Sequence, residues 1–382
     1  MPETPSNRRD LLTGRTFRAV VESAQDALAD QVLAADKEHQ AGATVRLATR
    51  AMGTEFGLLL DQEQRSALWP ASAALEVIGE IERELTVYRD DSDVSRLNAT
   101  GADTPMPVSE SLWRLLANCR TLTEKTGGGF DVATQAQIAL WQRCRRDERL
   151  PSDSEVAEAL ACSGITRVIF DEAARTVAFD RDGIGFNFGA IGKGEALDVC
   201  GERLEHPSIL NGDEAEDDPL RAAASPLRDF CLFGGHSSIV ARGRHGGHEG
   251  WPIGLGNPLF TRRRLGTLLL KDRAMATSGS NVQFYRYEGK RYGHILDPRT
   301  ARPAEGLLSV TVLAPTAAMA DALSTAFFVL GVEKSCEVCD NDPSIGVLLI
   351  PPPDRGGRLR PVIRGISDEI LFLDPEQAVV PL

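Results

Sequence analysis

The sequence predicts an α+β fold, on three observations. Short apolar runs of strand character alternate with segments of helical spacing, glycine turns feed several helix starts, and strands and helices are intermixed rather than segregated. The chain has 382 residues, 42% of them hydrophobic, which suffices for a large buried core in one big domain or two lobes. An excess of acidic over basic residues gives a formal net charge of −13, so the chain carries no basic footprint for nucleic acid. The longest apolar stretches, AFFVLGV and VLLI, fall far below the roughly 18 residues that span a bilayer, and no transmembrane helix is expected.

The elements follow in order. SNRRDLLTGR carries the paired arginines of a twin-arginine signal, but the apolar region such signals need does not follow. Instead FRAVVESAQDALADQVLAADKEH reads as a charged amphipathic helix, so residues 1–42 are an appended helical arm and 43–382 the main domain. Beyond Met52, FGLLL is a strand, and the next segment places Leu75, Ile78, Ile81 and Leu85 on one helical face. Ser109 precedes a helix carrying Leu112, Leu115 or Leu116, Cys119 and Leu122, and the glycines 127–129 end it.

TRVIF and RTVAF flank DEAA as a hairpin, and GIGFNFGAIGKG then opens a helix through Ala196 and Val199. Residues 206–228 are acidic, proline-containing and without apolar periodicity, as expected of a surface insertion. LSVTVL is a strand with Ser309 and Thr311 on its polar face. Pro315 and Thr316 cap a helix that Gly331 closes.

Several segments hold groups able to do chemistry. Asp321 and Thr325 stand four apart and Ser324 three from Asp321, so their oxygens share a helical face that could hold a hard cation such as Mg2+. A capped, solvated helix face is the equal alternative, although the apolar surroundings favour a partly buried Asp321 with a partner. GAIGKG places Lys193 at a helix start, where amides hold anions, but no Ser or Thr follows as in a Walker loop. HILDPRT groups His294, Asp297 and Arg299, a base, an acid and an anion fork; the commoner reading is that Asp297 and Pro298 build a turn.

Other groups point away from function. Cys336 and Cys339 form a lone CxxC without a second pair for zinc. His245, His248 and Glu249 fall in a glycine-rich link and read as solvated turn residues. Seven cysteines without a regular framework fit free thiols and a cytoplasmic location.

The order of MGTEF, TVYRDDSDVSRLN, GGGFDV, FNFGAIGKGEALD, FGGHSSIVARG, ATSGS and YGHILDPRTARPAEGLLSVTVLAPTAAMADALSTAFFVLG resembles the ApbE-type FAD:protein FMN transferases, over roughly residues 46 to 350. The resemblance implies a magnesium-dependent enzyme that splits FAD and joins FMN to a threonine of an acceptor protein, commonly a redox-pump or reductase subunit, releasing AMP. It implies Asp321 and Thr325 as side-chain metal ligands, Ala190 as a carbonyl ligand, and Ser324 as a further oxygen. Contacts to FAD are implied for Met52, Tyr88, Gly129, Phe130, Asp131, Asn187, Lys193 and the backbone near Leu296, with His294 as the base.

Three departures stand out. Asn187 occupies a position where the family usually has Asp, His236 replaces the asparagine of a GGN turn, and SGSNVQF lacks an arginine pair. Hydrolysis of FAD to FMN and AMP, and flavin binding without turnover, are the alternative functions on the same scaffold.

Overall fold

The computed structural model describes residues 44–207, 226–260, 262–280 and 284–374. The expected helical arm lies outside the described residues, as do residues 208–225 of the expected insertion.

Strands β1 (Thr44–Ala51) and β2 (Thr54–Asp61) form a hairpin around Met52 and Gly53. Helices α1 (Leu68–Leu85) and α2 (Asp93–Thr100) follow, then β3 (Met106–Pro107). Next come α3 (Glu110–Lys125), α4 (Gln135–Arg146) and α5 (Asp153–Ala161). β4 (Val168–Asp171) and β5 (Thr176–Phe179) make the hairpin expected around DEAA, and α6 (Gly192–Glu205) starts at the glycine turn. The strands β6 (Phe230–Gly234), β7 (Ser238–Arg242), β8 (Trp251–Gly256), β9 (Arg264–Leu270) and β10 (Arg273–Gly279) follow. Two small ribbons pair β11 (Phe284–Tyr287) with β12 (Lys290–Gly293) and β13 (Leu296–Asp297) with β14 (Arg302–Pro303). β15 (Ser309–Ala314), α7 (Ala317–Asp340), β16 (Gly346–Ile350), β17 (Val362–Arg364) and β18 (Leu371–Leu373) complete the chain.

One eight-stranded antiparallel sheet, ordered β1-β2-β6-β7-β10-β15-β16-β17, organises the molecule. Its inner strands, β15 and β16 above all, are buried on both faces, with side chains alternating between two cores, while the edge strands β1 and β17 stay partly exposed. Phe230, Leu232, Ala274, Ala276, Val310, Val312, Val347 and Leu349 face the core shared with α1, α6 and α7. Cys231, Met275, Leu313, Leu348 and Ile350 face a second core closed by the sheet β18-β9-β8. The helical faces read from the sequence are buried: Leu75, Ile78, Ile81 and Leu85 on α1, and Leu112, Leu115, Leu116, Cys119 and Leu122 on α3.

Ser309 and Thr311 were expected to face solvent, and both are buried. They share the register face of Leu313, which meets the second core instead of water, and the Thr311 hydroxyl bonds that of Thr277 at 2.9 Å. His245 also departs from its expected solvated turn. It stacks on Trp251 with ring centroids 4.2 Å apart, and its Nδ1 lies 2.7 Å from Asp61. Gly331 interrupts α7 as expected, with φ of 78°, a left-handed conformation glycine adopts without Cβ strain, but helix resumes to Asp340. All seven cysteines are free thiols, and among the described residues no helix is long and apolar enough to cross a membrane.

Candidate functional site

The N-termini of α6 and α7 meet closely enough that each helix supplies an aspartate to the other. Asp198, on α6, accepts hydrogen bonds from the amides of Ala317 and Ala318 at 2.7 and 2.8 Å, the first turn of α7. Asp321, on α7, accepts from the amide of Gly194 at 2.7 Å, the first turn of α6. Both carboxylates thus satisfy helix-start donors that have no partner within their own helix, and both feel the positive end of a helix dipole. The approach requires glycine, because a Cβ on Gly194 would lie 2.2 Å from the carbonyl oxygen of Ala317.

Asp321 is only 5% exposed, and burial pushes its pKa up despite three opposing influences: Lys193, the Ser238 hydroxyl and the Gly194 amide. Ser238 donates to its other oxygen at 2.6 Å, and Lys193 Nζ stands 3.9 Å away. β7 and β10 direct Ser238 and Ser278 to the α7 side of the sheet. There the Ser278 hydroxyl lies 2.8 Å from that of Ser324 and 3.4 Å from that of Thr325. Ser324 also donates to the Asp321 carbonyl at 3.0 Å, and Ala190 lies in the turn that leads into α6.

The sequence-expected group Asp321, Ser324, Thr325 and Lys193 is therefore brought together. Sequence reasoning missed Ser238, Ser278 and Asp198, although all three stand in the segments GGHSS, ATSGS and FNFGAIGKGEALD. Nearby acids are also shifted: burial and then Asp198 push Glu195 up to about 7, and burial pushes Asp198 up to about 6.

These residues fit a hard cation. Asp321, Ser324 and Thr325 present only oxygen, and an ionised carboxylate offers about four lone-pair positions. Gly194 and Ser238 each take one, leaving acceptor capacity on a buried anion that needs positive charge nearby.

A second group surrounds Glu82. Met52 adopts a left-handed conformation, φ 52°, in a two-residue hairpin turn that demands it, and its amide donates to Glu82 Oε1 at 2.6 Å. A few residues beyond Glu82, Tyr88 is 81% exposed, a large aromatic surface offered to solvent.

A third group centres on α4. Asn187 donates to Gln135 Oε1 at 2.9 Å and accepts from the Gly189 amide at 3.0 Å. Gln137 and Trp141, one turn apart, donate to the carbonyls of Pro298 and Ala301 at 2.8 and 2.7 Å. They fasten the loop that follows the exposed His294 and the half-buried Leu296. Within it Asp297 and Arg299 form a two-pronged pair at 2.9 and 2.8 Å, and Asp297 also accepts the Arg299 amide, so these side chains build the turn. The other expected contacts are structural at the side chain. Phe130 is buried in the core, and the Asp131 carboxylate accepts the amides of Ala133 and Ile165 at 2.7 and 2.9 Å. Gly129 packs where a Cβ would meet Leu330 at 2.8 Å.

The model of the ApbE family matches residues 52–212 and 230–349. The FAD:protein FMN transferase of Haemophilus influenzae is 30% identical over 288 residues, covering 73% of this chain and 78% of that protein. That of Treponema pallidum is 31% identical over 314 residues, 79% of this chain and 82% of that protein. Among solved structures, the ApbE protein of Thermotoga maritima superposes with a TM-score of 0.70 at 26% identity, covering 83% of this chain and 96% of that one. The flavin transferase ApbE from Vibrio cholerae gives 0.70 at 26% identity, covering 85% and 97%. The likeness spans nearly the whole of those structures, and the residues matched by the family model take in both crossed helix starts; the chain belongs to the ApbE family.

Proposed function

We propose that this protein is an FAD:protein FMN transferase that moves FMN from FAD to a threonine hydroxyl of an acceptor protein and releases AMP. The observation that carries the reading is the buried Asp321, ringed by Gly194, Ser238 and Lys193 and adjoining the hydroxyls of Ser278, Ser324 and Thr325, in a member of this family. Relatives at 30% and 31% identity are named FAD:protein FMN transferases, which supports transfer of FMN from FAD to a protein.

Asp321 and Thr325, with the Ala190 carbonyl and Ser324, are the residues we assign to magnesium. The ion, when bound, supplies charge neutralisation at the pyrophosphate. Lys193 adds a second positive charge toward the phosphates. Met52, Tyr88, Asn187, the backbone of Gly129 to Asp131 and the backbone at Leu296 hold the rest of the nucleotide. The exposed face of Tyr88 suits stacking on a planar ring.

In the transfer, the threonine oxygen attacks the FMN phosphorus as its proton passes to His294. A new oxygen–phosphorus bond forms, the pyrophosphate bond breaks, and AMP departs with the bridging oxygen. Catalysis then rests on positioning and charge stabilisation, which a rigid pair of helix starts provides. The test is to incubate the protein with FAD, magnesium and a threonine-bearing acceptor peptide and to weigh the peptide. A gain of one FMN supports transfer; FMN and AMP in solution with an unchanged peptide would show hydrolysis instead.

A further inference from the structure

The ribbon β11–β12 immediately precedes His294 and has two unlike faces. On one, Tyr285 stacks on Tyr292 with centroids 5.2 Å apart, and each lies 6.1 Å from Trp141 of α4, so this face anchors the ribbon. On the other, Arg286 and Arg291 are directly opposed across the two strands, and both are exposed. Like charges in that register repel. The protein does little to relieve them. Both guanidinium groups lie over the Phe284 ring, at 5.8 and 3.7 Å, and Arg291 donates to the Ser280 carbonyl. Among the described residues neither pairs with a carboxylate; the neighbouring acid Glu305 is held by Lys290 at 3.0 Å.

We infer that this paired-arginine face docks an acidic segment of the acceptor protein beside its modified threonine. The inference rests on the transferase reading above and names the partner chemistry of that site. A carboxylate seated between the two guanidiniums would remove their repulsion and accept charge-assisted hydrogen bonds. Position supports the acceptor as occupant. The ribbon runs through Gly293 directly into His294, and the Arg291 bond to Ser280 ties the arginine face to the end of β10, two residues beyond Ser278. A chain of net charge −13 repels an acidic partner elsewhere, so a local basic face also selects the docking orientation.

The test compares two threonine peptides that differ only in carrying aspartates or glutamines beside the threonine, with FAD and magnesium, at low and high salt. Wild-type protein is expected to show the lower KM for the acidic peptide, an advantage that salt removes. Replacing both arginines, Arg286→Gln with Arg291→Gln, should raise KM for the acidic peptide about three- to tenfold and leave KM for FAD and for the glutamine peptide unchanged. Arg286→Lys with Arg291→Lys should keep the preference, which separates lost charge from a damaged ribbon. Equal KM values for the two peptides in wild type, or a double glutamine variant that loses FAD affinity instead, would overturn the inference. Labelling of neither peptide by wild type, with FAD still cleaved, would overturn the transferase reading and this inference with it.

Discussion

Asp321→Asn separates the structural role of this residue from its proposed chemical one. Asp321 accepts from the Gly194 amide at 2.7 Å and from the Ser238 hydroxyl at 2.6 Å. In the variant the asparagine carbonyl faces Gly194, which can only donate, and its amide faces Ser238, whose hydroxyl turns round to accept. Both contacts survive as neutral hydrogen bonds, each weaker by about 1 kcal/mol, while the cost of burying a charge disappears. The expected change in stability is thus within about 2 kcal/mol, a shift of a few degrees in melting temperature. Turnover should respond differently. The carboxylate is the anionic member of the assigned ligand set, and losing it should cost about 3 kcal/mol or more of transition-state stabilisation, at least ~100-fold in rate. Asp321→Ala would instead leave the Gly194 amide buried without an acceptor, adding about 1–3 kcal/mol of destabilisation. AMP release as a function of magnesium, measured beside thermal melting, reads both effects. A folded Asp321→Asn protein with wild-type magnesium-dependent turnover would refute the assignment, and one that fails to fold would refute the hydrogen-bond argument.

Three further outcomes follow from the geometry. Gly194→Ala drives a Cβ to 2.2 Å from the Ala317 carbonyl oxygen, so α6 and α7 must separate; melting should show a loss of about 1–3 kcal/mol, accompanied by weaker magnesium dependence. Glu195 is raised from 4.5 to about 7, so between those values the folded protein holds more proton than the unfolded chain, and this stabilising contribution is present below pH 4.5 and lost as pH rises through 7. Glu195→Gln should therefore gain stability over wild type at pH 8 and show no advantage at pH 4.5; equal melting curves at pH 8 would contradict the burial of that charge. Trp141→Phe removes the donor to Ala301, a fully buried residue held at φ 52°, and should cost about 1–2 kcal/mol in melting while lowering turnover through the loop that follows His294.

Local periodicity made much of this fold legible. The buried stripes of α1 and α3, the DEAA hairpin and the glycine-led start of α6 all follow from spacings within one element. Helices α2, α4 and α5 were not read: α2 and α5 bury only two residues each, and the longer α4 only four of its twelve, leaving little apolar stripe to find. The polar face assigned to Ser309 and Thr311 failed because alternation gives a side chain's face of the sheet, while what covers that face is set by a distant sheet. The site divides the same way. Asp321, Ser324 and Thr325 share a helical turn, so their grouping was visible. Ser238, Ser278 and Gly194 join them only through sheet register and the crossing of two helices, which no spacing within either segment encodes.

The central claim is that FMN leaves FAD onto a threonine, and the stoichiometry of one reaction tests it most directly. With FAD, magnesium and acceptor present together, AMP released and FMN bound to the acceptor threonine should accumulate in a ratio of about 1:1, with both formed at least ~100-fold more slowly when Asp321→Asn replaces the wild type. AMP accumulating alongside free FMN and an unmodified acceptor would contradict the account.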